Sequence, residues 1–218
     1  MPKIYGASAS PFVRKVRIAL AEKGIAYEHQ PVIPFEGMYP EGYEKLHPLK
    51  KIPVYQDGSI TIPDSSVIIA YLEKVKPNPP LYPSDPYQYA RALWFEEYAD
   101  GGMTPNLTGV IFFQRVIGPR MMQKPTDEAL VTKCINEVMP KFFDYLEGEL
   151  GNGDWLVGKS FTVGDIGVGT QLVNLRHASV RPDPKRWPKL AAFADRFCER
   201  PSVKPLIAED QAQLGLSS

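Results

Sequence analysis

The chain has 218 residues, is 44% hydrophobic, and carries 25 lysines and arginines against 25 aspartates and glutamates. This composition is typical of a globular protein long enough for one large domain or two modest ones. The balanced charge argues against a nucleic-acid partner, and no apolar run approaches a membrane span, so we expect neither partner. The N-terminus lacks the apolar core of a signal peptide, which predicts a cytoplasmic protein.

The cysteines and histidines argue against a metal site. Cys134 and Cys198 lie far apart in helical patterns, which indicates buried thiols rather than a disulfide framework or a zinc site. The three histidines lack the spacing of metal ligands. No metal is therefore predicted.

The first third of the chain alternates strand and helix patterns. A short strand at Lys3–Tyr5 is followed by a helix in which Ser10 suits the N-cap and Pro11 the first helical position. Residues 26–33 predict a second strand, in which Pro31 indicates an edge strand or an early end.

The next elements complete a small sheet. The segment 35–46 predicts a loop with a short helix, and Asp57-Gly58 predicts a hairpin turn between two strands. A second helix opens at residues 63–66. The order βαβ and then ββα predicts an α/β domain over residues 1–76.

The rest of the chain has a different character. Five prolines in residues 76–86 cannot continue a helix, so residues 77–86 are predicted to be a linker. Residues 87–218 predict an all-α domain, because no convincing strand appears there. Its helical patterns span residues 87–115, 126–150, 163–176 and 187–200.

One motif in the all-α domain has a structural interpretation. Thr162 is placed to cap a helix with Asp165 reaching back to it in a capping box, and Phe161 and Ile166 are placed to form a hydrophobic staple. We expect this motif to stabilise the fold rather than to take part in catalysis.

Three pieces of the first domain have a chemical as well as a structural interpretation. The start of a helix after Ser10 favours an anion such as a thiolate, and the serine hydroxyl can donate a hydrogen bond to sulfur. The structural alternative is that Ser10 only caps the helix. If the Ile52–Pro53 bond is cis, Ile52 presents backbone groups that can pair with an extended peptide. An ordinary turn proline is the alternative there.

The third piece is a second helix start. Backbone N–H groups and the Ser65 hydroxyl can hold a carboxylate, and Asp64 can hold an ammonium group. Capping alone is again the structural alternative. Lys50 and Lys51 can meet a second carboxylate. Together the pieces match glutathione, which has a γ-glutamyl head, a central cysteine and a glycine carboxylate.

With these motifs, the chain resembles a cytosolic glutathione S-transferase over essentially its whole length. The stretch from Ser10 to Gly24 is similar to the first helix of the serine-type classes, and most like the tau class. Residues 48–54 resemble the family's cis-proline segment, Asp64-Ser65 matches its acidic residue–serine pair, and residues 161–166 match its capping motif. The resemblance implies a thioredoxin-like domain, an all-helical domain and a homodimer.

The resemblance also implies site residues. Ser10 is the predicted catalytic residue that stabilises the thiolate of the co-substrate glutathione, with Ser8 as the main rival and Tyr5 as a weaker one. Met38 stands near the position where tau-like members carry a lysine for the glycine carboxylate, so Lys51 is the expected substitute. The predicted glutathione-binding residues are Lys51, Ile52, Pro53, Asp64 and Ser65.

The second substrate is predicted to be a small hydrophobic electrophile or an organic hydroperoxide, held in a pocket between the domains. For the helical residues of the predicted lining, ordinary core packing is the alternative. The predicted lining residues are Phe12, Phe35, Met38, Tyr39, Met103, Leu107, Phe112 and Phe113.

Two other functions remain open. The fold is reused in binding or interaction modules without catalysis, although a module that binds no glutathione has no use for Ser10, Asp64 and Ser65 together. A thiol-disulfide oxidoreductase is disfavoured because the first domain contains no cysteine.

Overall fold

A computed structural model describes residues 1–216 of the chain. The chain divides into two compact units, Met1–Tyr82 and Pro83–Ser218. The first unit contains four strands, two α-helices and a single 3₁₀ turn. They are β1 (Lys3–Tyr5), α1 (Pro11–Glu22), β2 (Glu28–Gln30), the 3₁₀ turn (Tyr43–Lys45), β3 (Val54–Asp57), β4 (Ile60–Pro63) and α2 (Ser65–Val75).

The four strands form one mixed sheet in the order β2-β1-β3-β4. The pair β1 and β2 is parallel, while β3 is antiparallel to both β1 and β4. The parallel pair follows from the crossover through α1, and the β3–β4 hairpin turns at Gly58, whose φ of 56° suits glycine. This arrangement confirms the predicted α/β, thioredoxin-like first domain.

The second strand is much shorter than predicted. Pairing in β2 covers only Glu28–Gln30 rather than residues 26–33. Pro31 follows directly and has no N–H to donate to a ladder, so the strand ends there. β2 lies at the edge of the sheet, as the proline indicated.

Polar contacts fix α1 to α2 at both ends. Lys15 is fully buried, and its Nζ donates to Ser66 Oγ at 3.0 Å in the first turn of α2. Lys23 is also buried and pairs with Glu73 at 2.7 Å and with the carbonyl oxygen of Lys76 at 2.8 Å. The helix is therefore held in place by its charged residues as well as by its apolar side.

The second unit is helical wherever residues 83–216 are assigned regular structure, which confirms the predicted all-α domain. No helix within residues 1–216 combines the length and apolar character needed to cross a membrane. The helical elements are α3 (Pro86–Glu97), the π-helical segment Tyr98–Ile117, α4 (Gly118–Met121), α5 (Glu128–Lys133), the π-helical segment Cys134–Val138, α6 (Met139–Leu150), α7 (Val163–His177), α8 (Pro188–Glu199) and α9 (Lys204–Leu214).

Two helical stretches differ from the predicted continuous patterns. The stretch predicted over residues 87–115 changes from α to π winding at Tyr98, ahead of Pro105, which cannot donate an α-helical backbone bond. The stretch predicted over residues 126–150 is likewise divided by π winding and restarts as α6, with Pro140 in its first turn. The helix α9 was not predicted.

Helix α7 forms the centre of the second unit. All its residues from Val163 to Leu175 are buried, and its glycines allow close approach on two sides. A Cβ atom at Gly164 would lie 2.9 Å from Phe95 Cβ, and one at Gly169 would lie 2.3 Å from the ring of Phe197. Side chains at these two positions would hold α3 and α8 away from α7.

The predicted capping motif is present at the start of α7. Asp165 is fully buried, and its Oδ2 accepts from the backbone N–H of Thr162 at 2.8 Å and from the Thr162 hydroxyl at 2.9 Å. Its Oδ1 accepts from the N–H of Leu156 at 2.8 Å. One carboxyl group therefore fixes both the helix start and the preceding loop.

We expect Asp165→Ala to destabilise the fold by more than the roughly 1 kcal/mol of an ordinary lost cap, because it leaves buried donors unpaired. Burial raises the pKa of Asp165 from 3.8 to about 6. The native state then holds a proton that the unfolded state releases between these pH values, so the stabilisation from Asp165 falls as pH rises from about 4 to about 6. Denaturant unfolding of the wild type and of Asp165→Ala, from about pH 4 to about pH 6, measures the difference between their free energies of unfolding.

The exposed Asp195 on α8 provides the matched control, because Asp195→Ala removes a carboxylate without removing a buried acceptor. Unchanged stability in Asp165→Ala would contradict the structural role. A stability difference that grows as pH rises would contradict the direction of the pKa shift.

Candidate functional site

Backbone pairing brings the three predicted pieces together at one end of the strands, across β1, β3 and β4. Tyr5 pairs with Val54, and Val54 pairs with Pro63. In this row β1 ends, β3 begins and β4 ends. The loop to α1, the segment before β3 and the start of α2 therefore leave the sheet side by side.

The first piece is the start of α1. Ser10 is the N-cap, and its Oγ accepts from the N–H of Val13 at 3.4 Å. Ser10 is half-buried, whereas its rival Ser8 is buried with 3% of its surface exposed. The other rival, Tyr5, donates its hydroxyl to Gln56 Oε1 at 2.9 Å. Ser10 is thus the more accessible of the two serines.

The second piece is the segment before β3. The Ile52–Pro53 peptide bond is cis, as the peptide-binding hypothesis required. Within residues 1–216, Ile52 makes no backbone hydrogen bond, so its N–H and C=O are available to a ligand. A Cβ atom at Gly6 would lie 2.3 Å from Val13 Cγ2 and 3.2 Å from Ile52 Cβ. This close packing holds the segment next to the start of α1.

Two tyrosines support the same segment. The Tyr43 hydroxyl donates to the carbonyl oxygen of Lys51 at 2.9 Å, and the Tyr43 ring stacks on Tyr39 with centroids 5.6 Å apart. The Lys50 ammonium lies 5.9 Å from the centre of the Tyr39 ring. Lys51 is exposed, so the structure leaves its side chain accessible to solvent.

The third piece is the start of α2. Asp64 is the N-cap, and its Oδ1 accepts from the N–H groups of Ser66 at 2.9 Å and Val67 at 3.2 Å. Asp64 is exposed, and its φ of 75° lies in the left-handed region that few residues other than glycine and asparagine adopt. Ser65 beside it is 3% exposed. This start has the helix-dipole geometry that favours a carboxylate.

Sequence reasoning missed Lys15 as part of this region. Its buried ammonium contacts Ser66, the residue after Ser65, and so adds positive charge next to the start of α2. The contact joins residues 51 positions apart, and no local pattern indicates it. A lysine between the apolar residues Val13 and Val16 of a helix was the one available signal.

His47 also lies in this region, and it is buried. Burial and the positive charge of Lys51 lower the pKa of His47, and the negative charge of Asp64 acts in the opposite direction. The N–H of Leu49 donates to His47 Nδ1 at 3.2 Å, which places the proton of the neutral ring on Nε2. The ring therefore has a structural partner and favours its uncharged form.

The predicted substrate-lining residues fall into two groups. Met103 and Leu107 are fully buried in the helical unit, and the buried Phe112 ring packs 6.4 Å from His177. These three present little or no surface to a ligand in this structure, so we assign them to the core, the alternative that the sequence allowed. The side chains with accessible surface are Phe12, Phe35, Met38, Tyr39 and Phe113.

The arrangement joins donors for an anionic sulfur, a backbone pair for an extended peptide, and a start of α2 suited to an amino-acid head group. Within residues 1–216, no cluster of three histidine, cysteine or acidic side chains is arranged to hold a metal.

Comparison with known proteins identifies the family. The family models "Glutathione S-transferase, N-terminal domain" and "Glutathione S-transferase, C-terminal domain" match residues 4–80 and 114–210. Glutathione S-transferase Z1 and glutathione S-transferase U17, both from Arabidopsis thaliana, are each 29% identical to this chain. The matches cover 96% and 95% of this chain and 92% and 90% of those proteins.

A solved structure agrees with these relatives. A glutathione S-transferase from Methylobacterium radiotolerans, in complex with glutathione sulfonate, is 32% identical to this chain. The match covers 94% of each chain, with a TM-score of 0.75. The two family models together cover more than half of the chain. The chain therefore belongs to the glutathione S-transferase family and is a glutathione transferase, with glutathione as its co-substrate.

Proposed function

We propose that this protein is a serine-type transferase in which Ser10 donates a hydrogen bond to the glutathione thiolate. The observation that carries the proposal is the position of Ser10 at the start of α1, on the sheet edge shared with Ile52 and Asp64. Glutathione S-transferases Z1 and U17 are equally similar to this chain, at 29% identity each, so overall similarity does not favour one class over another. The proposed tau-like character therefore depends on the first helix alone, and the serine-type assignment depends on Ser10.

The proposed reaction uses the thiolate as the nucleophile. The start of α1 and the Ser10 hydroxyl favour the charged form of the sulfur, which lowers the thiol pKa. The thiolate then attacks an electrophilic carbon of a small hydrophobic substrate and forms a thioether, as the bond to a leaving group on that carbon breaks and the leaving group departs with the electron pair. With an organic hydroperoxide it attacks the terminal peroxide oxygen, which breaks the O–O bond, releases the alcohol and leaves glutathione as a sulfenic acid. A second glutathione then attacks that sulfur, releases water and forms the disulfide. Ser10 forms no covalent bond in either case.

Glutathione is proposed to bind as an extended peptide along the sheet edge. Ile52, before the cis bond to Pro53, pairs with the cysteinyl unit through its backbone. Asp64 holds the α-ammonium and Ser65 the α-carboxylate of the γ-glutamyl head. Lys51 binds the glycine carboxylate, because its side chain is exposed and accessible to a ligand. This assigns a protein group to each polar part of the tripeptide.

Replacing Ser10 by alanine tests the catalytic role. We expect kcat/KM for conjugation to fall by about 10²–10³, because a hydrogen bond to the developing charge is lost. The thiol pKa of bound glutathione should rise towards that of the free tripeptide, measured by the ultraviolet absorbance of the thiolate. Ser10→Thr, which keeps the hydroxyl, should retain most of the shift.

Ser8→Ala is the matched control, because Ser8 lies on the same loop. Full activity in Ser10→Ala together with a large loss in Ser8→Ala would transfer the role to Ser8. Thermal unfolding of each variant separates loss of the α1 cap from loss of the thiolate contact.

The substitution Asp64→Asn separates capping from binding. Asparagine caps a helix as well as aspartate and tolerates the positive φ, so the melting temperature should change little. The lost negative charge should raise KM for glutathione by about tenfold, as expected for a hydrogen bond between charged groups. An analogue of glutathione without the α-amino group should bind wild type and variant equally. A KM that is unchanged for glutathione itself would contradict the assignment.

We further propose a homodimer, located in the cytoplasm as the resemblance implies. Two aromatic residues of α3 that are seven positions apart, and so lie on one face of the helix, Tyr87 and Trp94, are 73% and 47% exposed. The Trp94 Nε1–H donates to the Tyr145 hydroxyl on α6 at 2.7 Å. Such an aromatic surface is typical of a contact between proteins.

Light scattering tests the homodimer. We expect a mass of about twice the 24.4 kDa of one chain, and Tyr87→Glu should favour the monomer because it places a charge on the aromatic surface. Lys189→Glu on the exposed side of α8 is the control. A single-chain mass at all concentrations would contradict the proposal.

A further inference from the structure

His47 has one ring nitrogen that the fold does not use. Its Nδ1 accepts the N–H of Leu49 at 3.2 Å, which leaves the proton of the neutral ring on Nε2. Among the residues that the structure describes, none accepts a hydrogen bond from Nε2. The residue is only 6% exposed, and a nearly buried N–H group without an acceptor is costly. A ligand that brings an acceptor to Nε2 removes this cost and leaves the contact with Leu49 in place.

Tyr43 holds His47 close to Lys51. The N–H of His47 donates to the carbonyl oxygen of Tyr43 at 3.0 Å, and the Tyr43 hydroxyl donates to the carbonyl oxygen of Lys51 at 2.9 Å. Between them the backbone turns at Lys50, whose φ is 50° and whose N–H donates to the carbonyl oxygen of His47 at 2.9 Å. Both ends of this segment therefore contact one buried tyrosine.

The charges around the His47 ring are those of the proposed glutathione site. Burial lowers the pKa of His47 most, the positive charge of Lys51 lowers it further, and the negative charge of Asp64 raises it. Such electrostatic effects weaken with distance, so both charged side chains lie near the imidazole. The ring is thus close to the groups proposed to bind the glycine carboxylate and the α-ammonium, and it provides a donor without adding a charge.

Of the two carboxylates of glutathione, the glycine carboxylate has more need of a further donor. A carboxylate has about four acceptor positions, and Lys51 is the single side chain that the proposed binding mode gives to it. The other carboxylate has Ser65 and the N–H groups at the start of α2. Lys51 also affects His47 more strongly than Asp64 does, which indicates that the ring lies on the glycine side of the site.

We propose that His47 is a further glutathione-binding residue, whose Nε2–H donates to the glycine carboxylate beside Lys51. The proposal rests on the binding mode given above, in which Lys51 binds this carboxylate. His47 then has two roles, since Nδ1 fixes the loop before β3 and Nε2 contacts the ligand. The contact involves no covalent step and makes the site selective for a free carboxylate at this end of the tripeptide.

Calorimetric titration of the full chain with S-methylglutathione tests the contact, because this ligand has no thiol for Ser10 to activate. Its methyl ester at the glycine carboxylate is the comparison ligand. We expect His47→Asn to raise the dissociation constant of the free acid by about tenfold, since a hydrogen bond to a charged group is lost. The dissociation constant of the ester should not change. Asparagine keeps an acceptor for the Leu49 N–H, so the variant should fold normally.

His47→Gln provides the opposite case. The longer amide side chain brings an N–H to the position of Nε2 and has no acceptor at the position of Nδ1. We expect this variant to melt at a lower temperature than His47→Asn and yet to bind the free acid more tightly. Leu49→Ala is the control in the same segment, because the Leu49 side chain is 70% exposed, and it should change neither dissociation constant.

The proposal is overturned by an unchanged dissociation constant of the free acid in His47→Asn, or by equal effects of this substitution on the acid and the ester. Weaker binding by His47→Gln than by His47→Asn would also overturn it, since a purely structural role predicts that order. Lys51→Gln separates these failures from an error in the binding mode. If only Lys51→Gln weakens the acid and spares the ester, Lys51 binds the carboxylate without His47. If neither substitution does so, the carboxylate binds elsewhere.

Discussion

The proposed glutathione site depends on the backbone pairing of Tyr5, Val54 and Pro63. Because of this row, α1 and α2 start at the same end of the strands, since α1 follows β1 and α2 follows β4. Two helix N-termini therefore face one region, and each favours an anion through its unpaired N–H groups and its dipole. A ligand with an anionic sulfur and a carboxylate can use both starts.

The pairing alone does not fix how the two helices sit relative to each other. The buried contacts of Lys15 with Ser66 and of Lys23 with Glu73 provide that constraint. A buried ammonium that loses its partner is strongly destabilising, so these contacts allow little displacement of α1 along α2. These contacts therefore fix the distance between the start of α1 and the start of α2.

The parts of the structure that were predicted correctly depend on short-range signals. Caps at Ser10, Asp64 and Thr162 follow from residue type and the next three positions, because a capping side chain reaches N–H groups only that far. The hairpin turn at Gly58 is equally local. Element type therefore follows from sequence wherever one turn of chain determines it.

The expectations that the structure corrects depend on contacts between residues far apart in the sequence. The length of β2 depends on its partner strand, and the π winding from Tyr98 to Ile117 depends on packing against neighbouring helices as well as on Pro105. Met103 and Leu107 have the residue types of a pocket lining, and only tertiary packing places them in the core.

For two site residues, the structural and functional alternatives are compatible. Ser10 accepts from the Val13 N–H through an oxygen lone pair, and its own proton is still available for a thiolate, since a hydroxyl has one donor and two acceptor positions. Both N–H groups capped by Asp64 contact Oδ1, which leaves Oδ2 for an ammonium group. Each residue can therefore stabilise its helix and bind ligand at once, and a helix cap at such an edge is compatible with catalysis.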